Sequence, residues 1–394
     1  MHTLKPGWKM VKFGDVVRQC KEKVDRSNNP FQRYIEGGHI DSEDIHIRRW
    51  GEFGSDYVGP AFHRIFRKGQ VLYGSRRTYL KKVAVADFDG ITANTTFVCE
   101  TKDQNIFMQE LLPFLMLTES FTNHSIRESK GSTNPYINWS DIAKYEFPLP
   151  PLEEQKRLAE LLWAADAAIG KYENVSIALV LVRQKILLKA IHHKKTKIIS
   201  CKNLLTTPPK NGFSPKINTF GLGFPTLSIG AVRDGEIQFP GNIKYAQISE
   251  DILNKFRLKT GDVLVVRGNG NKQLCGKAAI VSEIPQNCFY PDLLIKVSFK
   301  RDLVLPEFAT FLWNDKRVHS NLISLAKSTN GIWKINGKDI SQHKLQIPPI
   351  DIQKYVVFYL KKIKCYESRV KSHINSIKQI QSTAINSLLG FNNV

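Results

Sequence analysis

Acidic residues are scarce in this chain. Its 394 residues carry 36 Asp and Glu against 57 Lys and Arg, a formal net charge of +21. That excess points to a polyanionic partner, and duplex nucleic acid is the expected one. A membrane surface is a poorer fit, because no short basic amphipathic segment stands apart. Long apolar runs are also missing, so no membrane-spanning segment is expected, and residues 1–15 hold no apolar signal core. Cysteines are few and scattered: Cys20, Cys99, Cys201, Cys275, Cys288 and Cys365 form no CxxC pair and have no histidines at metal spacing. A zinc site is therefore not expected, and the thiols read as the reduced residues of a cytoplasmic protein.

What the chain does have is an internal repeat. Pro148-Leu149-Pro150-Pro151-Leu152-Glu153-Glu154-Gln155 returns 198 residues later as Gln346-Ile347-Pro348-Pro349-Ile350-Asp351-Ile352-Gln353. At the same offset Ile137, Asn138, Asp141 and Ile142 fall on Ile335, Asn336, Asp339 and Ile340. At an offset of 192, Gly38, Ile45, Gly69 and Leu72 fall on Gly230, Ile237, Gly261 and Leu264. The frame repeats while the loops differ, which suits one scaffold carrying two reading surfaces.

A long helical pattern follows each Pro-Pro pair. In the second, Ile352, Val356, Tyr359, Ile363, Tyr366, Val370, His373, Ile377, Ile380, Ala384 and Ser387 recur at alternating steps of four and three. Subtracting 198 gives Glu154, Leu158, Leu161, Ala165, Ala168, Tyr172, Val175, Leu179, Val182, Ile186 and Lys189, again mostly apolar. This spacing predicts a coiled-coil seam. A helix of ~40 residues is ~60 Å long and cannot bury its seam within one small domain. The two seams are expected to bury each other in an antiparallel pair.

The globular heads are expected at residues 1–150 and 197–348, with the helices at 151–196 and 349–394. Both heads read as mixed α and β. Strands are predicted at 70–73, 83–86 and 95–98, and at 263–266, 278–281 and 293–297. Helical stretches are predicted near 107–120, weakened by Pro113, and near 307–325. Between strands lie loops rich in cationic and amide side chains. The first head offers Arg48, Arg49, Ser75, Arg76, Arg77, Lys81, Lys82, Ser132, Asn134 and Tyr136. The second offers Arg267, Asn269, Asn271, Lys272, Gln273, Asn330, Trp333 and Lys334. Arg can bind guanine edges and Asn or Gln adenine edges through paired hydrogen bonds, whereas Lys and Ser more often fix phosphates.

No catalytic motif is complete. Asn134-Pro135-Tyr136 lacks the second proline of the adenine-methyltransferase motif, and Phe220-Gly221-Leu222-Gly223 is not a Phe-x-Gly-x-Gly cofactor loop. Gly268-Asn269-Gly270 lacks the third glycine of a dinucleotide loop, and no GxxxxGK[ST] is present. Asp89 with Glu100-Thr101-Lys102 fits the loose spacing of a Mg²⁺-dependent nuclease, but its repeat counterpart carries no such triad. No cofactor and no bound metal are expected.

The duplicated Pro-Pro-(Leu/Ile)-x-x-Gln, the helix after each copy and the head-helix-head-helix order resemble the DNA-specificity subunit of type I restriction–modification systems over nearly the whole chain. The resemblance implies a mixed α/β fold with two α+β target-recognition domains separated by two long antiparallel helices. Each head would read one half of a split, asymmetric site in double-stranded DNA. The helices would space the heads and dock two methyltransferase subunits, with restriction subunits joining that core. The subunit itself would hold no catalytic centre. The alternatives are a two-headed DNA-binding regulator, a specificity subunit serving a methyltransferase alone, and, more distantly, the nuclease.

Overall fold

The computed structural model describes residues 4–25, 28–54 and 58–387. The chain divides into two compact units, one formed by Met1–Asn174 with Lys371–Val394, the other by Val175–Val370. Among the described residues, no helix is long and apolar enough to cross a membrane.

In the first unit, Lys9–Lys12 pairs antiparallel with Glu146–Leu149, Lys9 facing Leu149 and Lys12 facing Glu146. This ribbon ties the start of the head to the strand that runs into Pro150-Pro151. A four-stranded antiparallel sheet follows in the order Val17–Cys20, Thr96–Thr101, Val71–Gly74, Val83–Val85. A second sheet orders Gly51–Glu52, Arg33–Ile35, Gly90–Ala93 and Phe62–Phe66, with Arg33–Ile35 parallel to Gly90–Ala93. Against the first sheet pack Leu112–Met116 and Glu119–Arg127, and their Phe114 and Phe121 join Phe13, Phe107 and Phe147 in the core. The stretch expected as one helix near 107–120 is thus broken. Pro113 sits in the first turn of its helix, where its missing N–H has no partner to lose, and Thr118 stops the turn and caps the next helix by accepting from the Phe121 N–H at 3.1 Å.

The second unit has its own ribbon, Lys197–Ser200 against Lys344–Ile347, which runs into Pro348-Pro349. Its main sheet has six strands, in the order Lys210–Asn211, Leu294–Val297, Val263–Val266, Ala278–Ile280, Glu236–Ile237, Val232–Arg233. The helical stretch expected near 307–325 is also two helices, Pro306–Asn314 and Lys316–Ile323. Asp315 divides them and caps the second through the Arg317 N–H at 3.1 Å. Phe308, Leu312, Trp313 and Leu322 pack under the sheet against Val263, Val265 and Ile295.

The long helices are Leu152–Ile191 and Ile350–Ser387. Within the first unit Leu158, Ala159 and Leu162 share a core with Ala384 and Ile385, and Tyr172 stacks on His373 at 5.3 Å. Within the second, Leu179, Ile186, Leu187 and Ile191 share a core with Val356, Leu360 and Ile363, and Arg183 pairs with Glu367 at 3.4 Å. In each unit the segments therefore run antiparallel.

Part of the expected seam faces outward. Val356, Ile363, Val370 and Ala384 are buried as expected, as is Ala165. Tyr359, Tyr366 and Ile380 point to solvent, Tyr366 with 53% of its surface open. Leu161, Val175 and Val182 are exposed in the same way, Leu161 at 45%, and Lys189 and His373 are exposed too. Leu162, Ala190 and Leu360, each one residue beyond Leu161, Lys189 and Tyr359, are buried in their place. Glu154 is occupied elsewhere, accepting from Trp8 Nε1 at 3.0 Å. Ser387's side chain lies outside the described residues. The physical reason is that both helices carry apolar residues on two adjacent stripes, and either stripe satisfies the same periodicity.

Candidate nucleic-acid interface

Each head is fixed to its long helix by a buried glutamine. Gln155 Oε1 accepts from Met108 N at 3.0 Å, and its Nε2 donates to Ile106 O and Pro150 O, both at 2.9 Å. Gln353 Oε1 accepts from Leu305 N at 2.9 Å, and its Nε2 donates to Leu303 O at 3.0 Å and Pro348 O at 2.8 Å. Both side chains are fully buried with their amide groups satisfied. The glutamine of the repeated motif is a bolt between the helix and the loop that leads into the head's own helices. The repeated motif marks both glutamines in the sequence, but their role shows only in the fold.

In the first unit the turn after Val71–Gly74 and residues 130–136 meet. Arg77 N–H donates to Pro135 O at 2.7 Å, and its Nε donates to Asn134 Oδ1 at 3.3 Å. Arg76 forms a bridge with Tyr136, and its guanidinium lies 5.9 Å from that ring. Lys130 and Tyr136 exchange backbone hydrogen bonds at 2.8 and 2.9 Å. Arg76, Arg77, Ser132, Asn134 and Tyr136 are exposed together, while Arg77 and Lys81 hold left-handed backbone angles at the two ends of the Thr78–Leu80 turn. Asp141 anchors the second loop from below: Lys130 approaches it at 3.2 Å and holds its carboxyl below the usual carboxylate range.

Five expected members of this group are engaged elsewhere. Ser75 is buried and its hydroxyl donates to Thr95 O at 2.7 Å. Lys81 is largely enclosed between Glu43 and Glu119. Lys82 donates to Gly37 O, and Arg49 pairs with Asp41. Arg48 donates to Asp44 at 2.9 Å and lies 3.6 Å from Glu173 on the long helix. Next to it His46 and Asp166 approach to 2.8 Å, and that hydrogen bond raises the imidazole above its ordinary value against the opposing effect of burial. The Arg48 region clasps the helix. Asp44 is four residues from Arg48, but Glu173 and Asp166 are brought there by the fold alone, which sequence could not reveal.

The second unit builds a comparable meeting of loops with a sheet. Gly268–Asn269 pairs with Ile332–Lys334, which forms a hairpin with Lys327–Thr329. Asn330 and Gly331 turn that hairpin with positive φ. Lys272 lies 4.3 Å over the Trp333 ring. Asn269 Oδ1 accepts from Asn271 N, and Asn271 Oδ1 from Gln273 N, both at 2.9 Å, which gives the loop a fixed shape. Arg267 is half-buried and held by Asp292, through the carbonyl at 3.2 Å and the carboxylate at 3.7 Å. Asn271, Gln273, Asn330 and Lys334 are exposed. Asn336 opens the following helix with a capping box, its Oδ1 taking the Lys338 and Asp339 N–H groups and Asp339 returning to the Asn336 N–H. In both units, then, a loop after a core strand is fastened to the segment before a short helix, and a cation rests on an aromatic ring at the junction.

The nuclease-like set does not converge. Asp89 accepts from Lys68 N and pairs with Arg67, Glu100 pairs with Arg18 and accepts from Gln70, and Lys102 reaches Gly14 O. Among the described residues, no group of three or more His, Cys, Asp or Glu is placed to hold a metal ion.

Residues 5–179 match the family of the type I restriction modification DNA specificity domain. The chain is 29% identical over 295 residues to the type I restriction enzyme EcoKI specificity subunit of Escherichia coli K12, covering 69% of this chain and 63% of that one. It is 30% identical over 196 residues to the EcoDI specificity subunit of Escherichia coli, covering 48% and 42%. The chain thus spans about two fifths to just over three fifths of the length of these curated relatives. Its fold is similar to that of the type I restriction–modification S subunit from M. genitalium, with a TM-score of 0.60, 13% identity, and coverage of 99% and 97%.

Proposed function

We propose that this chain, which belongs to the type I restriction–modification DNA-specificity family, is the DNA-reading subunit of such a system. Each head reads one half of a bipartite, asymmetric site. The heads are residues 1–150 and 197–348, and the arms 151–196 and 349–394 form one antiparallel coiled coil that spaces them. The observation that carries this reading is the fastened loop pair in each unit. Arg76 on Tyr136 and Lys272 on Trp333 are cations held rigidly at exposed junctions of a chain with net charge +21. Rigid placement lets a side chain discriminate between base edges instead of merely collecting phosphates. The cation and the ring differ between the two junctions, Arg76 on Tyr136 against Lys272 on Trp333, so the two halves of the site differ.

The buried glutamines support the spacing role, because a head bolted to its helix transmits the helix direction to the loops. The outward apolar stripe of the long helices, with Leu161, Val175, Val182, Tyr359, Tyr366 and Ile380, supports docking of two methyltransferase subunits on the arm. Restriction subunits join that complex. The chain itself contributes recognition and no catalytic group, and it works in the cytoplasm.

The test is selection from a random duplex library by the full chain with its methyltransferase chains. The expected outcome is a motif of two defined halves at fixed spacing. Arg76→Ala with Arg77→Ala should blur one half, and Arg267→Ala with Lys272→Ala the other, each base-reading Arg lost costing ~1–3 kcal/mol at its half. A single undivided motif, recovered by a chain that purifies without partners, would instead mark a regulator.

A further inference from the structure

Residues 213–223 of the second unit form a tip that the recognition loops above do not include. Phe220 has 84% of its surface in solvent and Leu222 has 58%. The tip is built to hold them there. Asn218 Oδ1 accepts from the N–H groups of Phe220 and Leu222 at 3.1 and 3.2 Å, and its Nδ2 donates to Leu222 O at 2.8 Å. The Asn218 backbone exchanges hydrogen bonds with Tyr245 at 2.8 and 3.0 Å. Gly221 and Gly223 take φ of +80° and +94°, and a Cβ on Gly223 would stand 2.2 Å from Ala246 O. A turn this specified presents two apolar side chains without burying either.

Charge and position indicate what covers them. No Asp or Glu occurs between Glu173 and Asp234, while Lys210 precedes the tip and Lys216 lies within it. The base of the tip is joined to the recognition face. Ser214 Oγ donates to Asp292 Oδ1 at 2.5 Å, and Asp292 is the residue that holds Arg267. An apolar point on an acid-free stretch of chain, sharing an anchor with a candidate base-reading arginine, fits a polyanion that has apolar planes inside it.

We propose that Phe220, with Leu222 behind it, is a preformed wedge that enters between adjacent base pairs of duplex DNA and kinks it at the half-site read by the second head. The inference rests on the DNA reading of that head and adds a mode of recognition to it. Insertion unstacks one base step and stacks Phe220 on the opened base face. Sequence is then read at positions without base-edge contacts, because flexible pyrimidine–purine steps open at least cost.

The test uses the full chain with its methyltransferase partners and duplexes recovered by the parent from a random pool, labelled at both ends with a dye pair. The parent should bring the ends closer together. Phe220→Ala should abolish that change and weaken binding about tenfold, while Phe220→Leu, still a wedge, should keep much of both. If Arg267→Ala weakens binding but Phe220→Ala binds and bends DNA like the parent, the wedge is refuted and the DNA reading stands. If Phe220→Ala bends DNA normally but releases the methyltransferase chains, the tip is a protein contact and the proposal fails. If the parent enriches no duplex, the underlying reading and the wedge fall together.

Discussion

A glutamine carries more of this architecture than any charged residue does. Gln155 and Gln353 each satisfy two carbonyls and one N–H where a helix leaves its head. Replacing either by leucine leaves those groups buried without partners, at about 1–3 kcal/mol. Hydrogen exchange should show the Met108 amide opening faster in Gln155→Leu and the Leu305 amide in Gln353→Leu, each in its own unit. Unchanged protection would mean the bolt is ornamental. A second consequence concerns pH. Burial pushes the His343 imidazole down to about 4, with a further contribution from nearby His319, and its buried Nε2 has no hydrogen-bond partner among the described residues. The folded state keeps this ring neutral while the unfolded chain protonates near 6.5. The second unit's stability should therefore be level above that pH and decline as pH falls toward 4. Thermal unfolding between pH 7.5 and 5.0 should show the decline, and His343→Leu should flatten it. An identical slope in the variant would assign the effect elsewhere. At this scale the sequence was legible in part. Arg76, Arg77, Asn134 and Tyr136 do come together. Ser75 and Lys81 were misread because only the fold brings Thr95, Glu43 and Glu119 beside them.

Elements were read with more success than faces. The strand Val263–Val266 and the start of each long helix after Pro-Pro stand where periodicity and proline placement predict them. The expected seam fails where Leu161 and Tyr359 face outward, because the next residues, Leu162 and Leu360, are apolar too and are buried in their place. A period alone does not say which of two apolar stripes faces inward. The distinction can be measured. Leu162→Ala should cost about 2–5 kcal/mol, since Leu162 is fully buried. Leu161→Ala, its exposed neighbour, should stay within about 0.5 kcal/mol in the isolated chain. Denaturation of the two variants compares them directly, and equal losses would restore the original seam. If the outer stripe docks partners, Leu161→Ala should weaken retention of the methyltransferase chains without changing the fold.

At the scale of the whole molecule, each of the two units has a ribbon that leads into a Pro-Pro pair, and their loops differ. The motif and the long helix after each copy were legible in the sequence, because they recur at one offset. The loops were not, since insertions shift their register and leave nothing to align. The central claim is that the heads read independently, and one experiment tests it most directly. Residues 197–348 are exchanged for the second head of a relative, and the sites methylated by the resulting complex are mapped across a genome. The account predicts a hybrid motif, with the half read by residues 1–150 unchanged and the other half replaced. A motif altered in both halves would contradict it.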